Sequence, residues 1–241
     1  MWINAILEYW LSSPWPIAIV IATAVHLTIY LVGAGTGTLL TTKLWPRFNI
    51  GRTLDPTPPR AGQLREEFRA GLVTCLIFGI VTLLYRPLCH GVWPGSWGQG
   101  LFQLLAFSVF NNLYTYSTHR LLHSRALIRY HRVHHRSVRL TPWSGYSVHP
   151  VEALIIGATL PVFMLFVPIG IGAAFFLHDL GMLYTTCIHC NYELMPSWPA
   201  RHWLKRLIDD PAFHRVHHTQ GNVNYGFPSR VLDRVFRTNK E

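Results

Sequence analysis

Apolar runs long enough to cross a membrane recur along the chain. They cover residues 15–42, 70–88 and about 101–118, and a longer run covers 151–189. Crossing the hydrocarbon core takes roughly 20 apolar residues in a helix. The run over 151–189 is too long for one span and is broken near its centre by proline and glycine, so it predicts a helical hairpin. The whole pattern predicts an all-α integral membrane bundle of four to five transmembrane segments.

The charged residues are distributed unevenly between the two sides of these spans. The chain has 21 lysines and arginines against 11 acidic residues, a net charge of +10. Twenty of the 21 basic residues lie in the loop 43–69, the segment 119–150 and the tail beyond residue 200. Because basic loops stay on the cytosolic side, we expect these segments in the cytosol and the N-terminus outside. The positive charge therefore requires no nucleic acid partner, and a charged fraction of only 13% disfavours an ordinary soluble enzyme.

The whole chain, 1–241, is interpreted as a single membrane domain. Residues 1–100 supply N-terminal spans and loops, and residues 101–241 form a histidine-rich region. In the tail, residues 201–208 predict an amphipathic helix that lies in the membrane interface. The glycines of 33–37 predict close helix packing rather than a nucleotide-binding loop, since they lie within an apolar span and follow no strand.

Histidines are concentrated in three clusters at or beyond the ends of apolar runs. The chain has 14 histidines, far more than packing requires. The clusters are His119 and His123; His131, His134 and His135; and His214, His217 and His218. On a helix, offsets of three and four bring side chains onto one face, and imidazole is the commonest metal ligand. Because the charge pattern places all three clusters on one side, their eight imidazoles can hold two metal ions there.

The order and spacing of these clusters resemble the histidine boxes of a known family. The matching segments are HRLLH at 119–123, HRVHH at 131–135, IHCN at 188–191 and HRVHH at 214–218, followed by NYG and DRxFxT. They resemble the fatty acid hydroxylase / sterol desaturase superfamily of membrane di-iron oxygenases, over roughly residues 100–241. The resemblance implies a cytosolic helical cap in which the eight box histidines and His189 hold two iron ions, without separate catalytic residues.

At four positions the sequence either differs from the family pattern or offers a candidate for an unassigned metal ligand. The family usually has an aspartate where Asn112 stands, and that carboxylate is expected to orient a metal ligand from outside. Some relatives carry a further histidine at the position of Thr185, so a tenth ligand is either missing or supplied by His149 or His178. His149 equally fits the start of a helix, and His178 equally fits the wall of a polar cavity.

The chemistry implied by the resemblance is oxidation of a lipid. Two irons, O2 and two electrons can remove hydrogen from an unactivated C–H bond, which zinc cannot do because it lacks redox chemistry. Hydroxylation and desaturation both begin this way, and the substrate is a sterol, fatty acyl or terpenoid lipid. Its channel is expected to pass Phe107, Phe110, Tyr114 and Tyr116, although that aromatic stripe is equally typical of helix packing. Electrons are expected from a separate cytochrome b5-, ferredoxin- or reductase-type protein.

Two alternatives remain at the level of sequence. A metal transporter or sensor could use the same histidines, but its ligands are expected at mid-bilayer on broken helices rather than at span ends. A catalytically silent relative is supported by Asn112 and by the C-terminal motif, in which Leu232 and Arg237 replace the tryptophan and glycine usual in the family. The leading interpretation is a multi-pass enzyme of the endoplasmic reticulum or a bacterial inner membrane, with its active site on the cytosolic face.

Overall fold

A computed structural model describes residues 2–194 and 207–240, and helices dominate them. The helices are α1 Trp2–Ser12, α2 Trp15–Leu39, α3 Trp45–Arg47, α4 Gln63–Val81, α5 Tyr85–Leu88, α6 Trp97–Leu122, α7 Ile128–His135, α8 Pro150–Gly157, α9 Thr159–Met164, α10 Ile171–Ile188, α11 Pro211–Gln220 and α12 Val231–Val235. A π-helical turn, Leu40–Leu44, joins α2 to α3. Two short antiparallel strands, β1 Arg52–Thr53 and β2 Tyr192–Glu193, pair with each other. The predicted all-α class is confirmed.

Three helical rods within the described residues are long and apolar enough to cross a membrane. They are Trp15–Arg47, Gln63–Leu88 and Ile171–Ile188. Their outer surfaces carry exposed apolar side chains such as Val20 and Phe176, and large apolar surfaces of this kind mark contact with a membrane or a partner. The chain is therefore a helical membrane protein, as the hydrophobic pattern predicts.

The run predicted as a further span, 101–118, lies within α6 but is not one of these three rods. This helix has 26 residues, and it buries only Gln103, Tyr116 and Leu122. Much of its remaining surface is apolar and exposed, as at Phe102. Its passage through the membrane stays a prediction.

The hairpin predicted for 151–189 is present as two helical arms. Helices α8 and α9 form the first arm and α10 forms the second. Glycine lets the reversal between them pack closely on residues 91–93. A Cβ atom on Gly170 would lie 2.5 Å from the Val92 carbonyl oxygen, and one on Gly172 would lie 2.7 Å from the Trp93 ring. The Gly172 amide also donates to the Val92 carbonyl at 2.8 Å.

Small residues bring the long helices together. A Cβ on Gly71 of α4 would lie 2.4 Å from the Tyr30 ring of α2, and one on Gly33 of α2 would lie 3.0 Å from Leu183 of α10. Close approach through small residues is typical of helix pairs in membranes. The buried residues of α2 recur every four positions, at Ala18, Ala22, His26, Tyr30 and Ala34. This spacing gives α2 one continuous buried face.

Histidine-bearing segments lie at the C-terminal ends of α6 and α10 and on α7 and α11, and Glu67 of α4 ties the loop after α7 to the spans. The Glu67 carboxylate accepts hydrogen bonds from Gln63 at 2.7 Å, Ser137 at 2.7 Å and Thr141 at 2.5 Å. All four side chains are buried, so the contact is shielded from water. Most of the helix predicted over 201–208 falls outside the described residues, which resume at residue 207.

Candidate metal centre

Four segments of the chain carry nine histidines into one region. His119 and His123 close α6, His131, His134 and His135 lie on α7, His189 follows α10, and His214, His217 and His218 lie on α11. The structure thus brings together all nine histidines predicted as metal ligands.

The nine imidazoles form two groups. The group of five contains His119, His123, His131, His135 and His217, and the group of four contains His134, His189, His214 and His218. Within each group, the ligand nitrogens all lie within 4.8 Å of one another. Each HxxHH box serves both groups, because its first and last histidines share a helix face while the middle one is rotated by about 100° from its neighbour. The outer pair of α7 joins the group of five, whereas the outer pair of α11 joins the group of four.

Hydrogen bonds on the outer ring nitrogens determine which nitrogen faces inward. The Nδ1 atom of His119 lies 3.0 Å from the Tyr225 carbonyl oxygen, and that of His217 lies 2.7 Å from the Val223 carbonyl oxygen. His189 makes an equivalent contact of 2.7 Å with a carbonyl one turn earlier. A carbonyl oxygen can only accept, so Nδ1 carries the proton and Nε2 presents its lone pair.

The inward nitrogens lie too close together to be neutral acceptors facing one another. In the group of five, the Nε2 atom of His119 lies 3.1 Å from that of His131, whose Nδ1 contacts a carboxylate oxygen at 2.8 Å. In the group of four, the Nε2 atom of His189 lies 3.2 Å from that of His134, whose Nδ1 contacts a carbonyl oxygen at 3.4 Å. Facing lone pairs repel unless a cation lies between them, and imidazole suits iron, zinc, copper and nickel. The donor set therefore fits two transition-metal ions, one in each group.

Glu152 of α8 is a site residue that the sequence interpretation missed. Its Oε1 atom lies 2.8 Å from Nδ1 of His131, and both side chains are almost fully buried. A carboxylate on the outer nitrogen of a ligating histidine fixes the ring and raises its basicity. The signal available in the sequence was an acidic residue in an apolar helix, three positions after His149. A negative charge near the start of a helix also interacts favourably with the helix dipole, so the residue had a second explanation.

Burial keeps these imidazoles neutral at physiological pH. Removal from water lowers the pKa of His135 and of His189 to about 4. It also lowers the pKa of His134, His214 and His218 well below the usual range, and the neighbouring imidazoles add to this effect. Neutral imidazole is the form that binds metal, so the site is held in its ligating state.

Three further residues considered from the sequence lie outside both groups. His149 caps the start of α8, where its Nδ1 accepts a hydrogen bond from the Val151 amide at 3.1 Å. This contact fits the helix-start interpretation of His149. His178 lies on α10 in a separate set, and it lines the cavity that borders both groups, which fits the cavity-wall interpretation. Asn112 belongs to neither group, and its buried Oδ1 atom has no hydrogen-bond partner among the described residues.

A cavity of about 140 Å³ borders both groups. Its walls include histidines from each of them: His119, His131, His134, His189 and His214. The rest of the wall is mainly apolar and comes from α6, α8, α9 and α10, with Ile156, Leu160 and Met182 among its residues. Since an engineered cavity of about 150 Å³ holds benzene, this space accommodates a short hydrocarbon segment beside the imidazoles.

Only part of the predicted aromatic stripe faces this cavity. Phe107 and Tyr114 line it. By contrast, Phe110 packs against Phe163 of α9, and Tyr116 stacks on Phe236 in the C-terminal segment. The stripe therefore combines the two roles considered for it, channel lining and helix packing.

The C-terminal segment supports the group of five from outside. Asp233 accepts hydrogen bonds from the Tyr225 and Gly226 amides at 2.8 and 2.6 Å, and from the Thr238 hydroxyl at 2.6 Å. These contacts fix the loop whose Tyr225 carbonyl oxygen accepts from His119. The NYG and DRxFxT segments therefore position a histidine.

The region that carries the boxes is similar to known proteins. The fatty acid hydroxylase family matches residues 104–238. The Delta(7)-sterol 5(6)-desaturase ERG3B of Gibberella zeae is 31% identical over 173 residues, which cover 68% of this chain and 52% of that protein. The Delta(7)-sterol 5(6)-desaturase erg3C of Aspergillus fumigatus is 25% identical over 197 residues, covering 68% and 59%. The very-long-chain aldehyde decarbonylase GL1-7 of Oryza sativa subsp. japonica is 36% identical over 133 residues, covering 51% and 21%.

The matches are confined to part of each relative. The chain spans somewhat more than half the length of these sterol desaturases and about a fifth of the decarbonylase. No solved structure matches the chain. The family match nevertheless covers more than half of the chain and contains all nine grouped histidines. The chain therefore belongs to the fatty acid hydroxylase family, as the resemblance of its histidine boxes predicts.

Proposed function

We propose that this chain is an O2-dependent di-iron oxidoreductase that hydroxylates or desaturates a lipid-like substrate. The observation that carries the proposal is the convergence of nine imidazoles into two groups beside one largely apolar cavity. The names of the relatives, sterol desaturase and aldehyde decarbonylase, support a sterol, fatty acyl or terpenoid substrate class.

The residues present fit two iron ions, one held by each histidine group. Bound there, iron would supply the redox chemistry that lets O2 remove hydrogen from an unactivated C–H bond. The protein holds the ligands ready for this. The Glu152 carboxylate fixes His131, and the Tyr225 carbonyl oxygen fixes His119, so both rings keep Nε2 turned inward.

The cavity selects and orients the lipid. Its apolar walls exclude water from the region beside the histidines, and the lipid carbon that reaches His131 and His134 is the one that reacts. The position of this lipid carbon relative to the two histidine groups decides between hydroxylation and desaturation, because reactivity depends steeply on geometry. A cavity of about 140 Å³ takes only a segment of a lipid, so we infer that the remainder lies between the helices or in the bilayer.

Electrons in this proposal come from a separate cytochrome b5-, ferredoxin- or reductase-type protein. A second cleft, of about 260 Å³, is lined by three arginines and two acidic residues together with Ser147. The Ser147 carbonyl oxygen lies 3.4 Å from Nδ1 of His134. The cleft therefore lies next to a residue that contacts a histidine of the group of four. Its excess of arginines over acidic residues suits an acidic docking surface on the electron-donor protein.

The proposed location is the endoplasmic reticulum or a bacterial inner membrane, with the active site on the cytosolic face. The concentration of basic residues in the box-bearing segments supports this orientation. The eight box histidines lie at the ends of apolar spans or in basic segments, which favours an enzyme over a transporter, whose ligands are expected at mid-bilayer.

The test combines iron content with oxygen incorporation. The purified chain is loaded with Fe²⁺ without air, then supplied with a Delta(7)-sterol or a long-chain aldehyde, a ferredoxin–reductase pair and ¹⁸O2. We expect the two histidine groups to hold about two irons per chain, and a product that either contains ¹⁸O or has lost two hydrogens. Loss of one of these irons and of the product in His214→Ala/His218→Ala, with iron and product both retained in His90→Ala, supports the proposal. Full iron loading without product from either lipid class, or from a total lipid extract, favours the catalytically silent alternative.

A further inference from the structure

A third set of metal-ligating side chains lies inside the membrane-spanning region. It consists of His26 on α2 and of His178 and Asp179 on α10. One ligand atom from each lies within 4.8 Å of those of the other two. His26 is fully buried, and His178 and Asp179 are 8% and 17% exposed. Along α10 the set is 11 residues from His189, about 16 Å of helix, so it is separate from both box groups.

Hydrogen bonds around His26 leave one of its ring nitrogens bare. The Thr82 hydroxyl donates to the Phe78 carbonyl oxygen at 2.6 Å, so its oxygen is free to accept from His26 Nε2 at 3.0 Å. The Nδ1 atom then carries only a lone pair. It faces Oδ1 of Asp179 at 3.4 Å, and neither atom has a hydrogen-bond partner among the described residues. Two hydrogen-bond acceptors, Nδ1 of His26 and Oδ1 of Asp179, thus face each other in an apolar part of the fold.

His178 completes the set with a second unpartnered nitrogen. Its Nδ1 lies 3.3 Å from the Tyr85 hydroxyl, whereas its Nε2 has no partner within the described part of the chain. When Nδ1–H donates to the Tyr85 oxygen, Nε2 presents a lone pair, which is the usual pattern for a ligating histidine. The ring of His178 also lies 4.7 Å from that of His26, centroid to centroid.

We propose that His26, His178 and Asp179 form a third metal site for a single divalent first-row transition ion. An unneutralised carboxylate within a membrane is costly and marks a functional site, and a divalent cation removes both that cost and the repulsion between the facing acceptors. Two imidazoles and one carboxylate are the donor set of zinc sites and of mononuclear iron sites with open positions. The inference does not depend on the proposed function of the box histidines.

Metal stoichiometry tests this site directly. The purified full-length chain is stripped, titrated with Zn²⁺ and freed of weakly bound ions by gel filtration before elemental analysis. We expect three zinc ions per chain, and two in Asp179→Asn and in His26→Gln. His90→Ala, which removes an exposed histidine outside all three sets, is expected to keep three.

A further variant separates this proposal from that for the boxes. The combined substitution of His131, His135, His214 and His218 by alanine is expected to lose the two box ions and keep the third. Two zinc ions in the wild type would overturn the third site while leaving the proposed function intact, and would indicate a shared proton between His26 and Asp179. Three ions in a folded Asp179→Asn variant would overturn it as well. Thermal melting identifies which variants are folded. If neither single variant folds, the number of zinc ions bound by the wild type decides whether the third site exists.

Discussion

Replacing Glu152 by glutamine is expected to weaken metal binding in the group of five. Its Oε1 atom lies 2.8 Å from Nδ1 of His131, and the two side chains are only 4% and 2% exposed. Glutamine keeps the shape of the side chain but replaces the carboxyl group that contacts His131 with an amide. Outer partners of ligating histidines contribute about 10- to 100-fold to metal affinity, which corresponds to about 1.4–2.7 kcal/mol. Because this contact is shielded from water, we expect a loss in the upper half of that range.

Competition with a chromophoric chelator measures this affinity without requiring turnover. Glu66→Gln is the matched control, because Glu66 pairs with Arg60 at 2.6 Å while about half of each side chain is exposed. Exposed pairs contribute little, so the control should bind metal within about twofold of the wild type. Wild-type metal affinity in Glu152→Gln would contradict a supporting role for Glu152, and so would an equal loss of affinity in both variants.

Three further changes test the cavity, the cap and the buried imidazoles. Gly181→Leu fills the cavity from a position where a Cβ meets no atom within 4 Å; turnover should fall about tenfold or more, with metal content unchanged by elemental analysis. Glu67→Ala removes the acceptor of three buried hydrogen bonds and should lower the free energy of unfolding by about 3 kcal/mol or more, whereas Glu66→Ala in the same detergent melt should change it by less than about 1 kcal/mol. The pKa of His135 and His189 is about 4 in the folded chain and about 6.5 when unfolded, so the unfolded state binds more protons between these values. The metal-free protein should therefore lose stability as pH falls from about 6.5 to 4; a melting temperature independent of pH would contradict this.

The sequence identifies the eight box histidines because their spacing is local, whereas the isolated His189 is found only through the family resemblance. Offsets of three and four on a helix are visible in HRVHH without any tertiary information. The sequence does not show how each box is divided between the two groups. In the structure, His131 and His135 join His217, whereas His134 joins His214 and His218. That division depends on how α7 and α11 face each other across the cap, which is a property of packing rather than of spacing.

The groups that orient the histidines act through contacts distant along the chain. Glu152 meets His131 across 21 positions, and Tyr225 meets His119 across 106. His26 looks structural in isolation because its partners, Thr82 on the second rod and Asp179 on α10, are far away in sequence. By contrast, the helical hairpin is predictable, since its reversal is marked by proline and glycine.

Iron content per chain is the most direct test of the central claim that the histidine boxes hold a di-iron centre. Elemental analysis compares the detergent-purified, iron-loaded wild type with His131→Ala/His135→Ala and with His214→Ala/His218→Ala, all in an Asp179→Asn background that removes the proposed third site. We expect about two irons in the parent and about one in each double variant, because each pair serves a different group. Equal iron in all three proteins, or no iron in a folded parent, would contradict it.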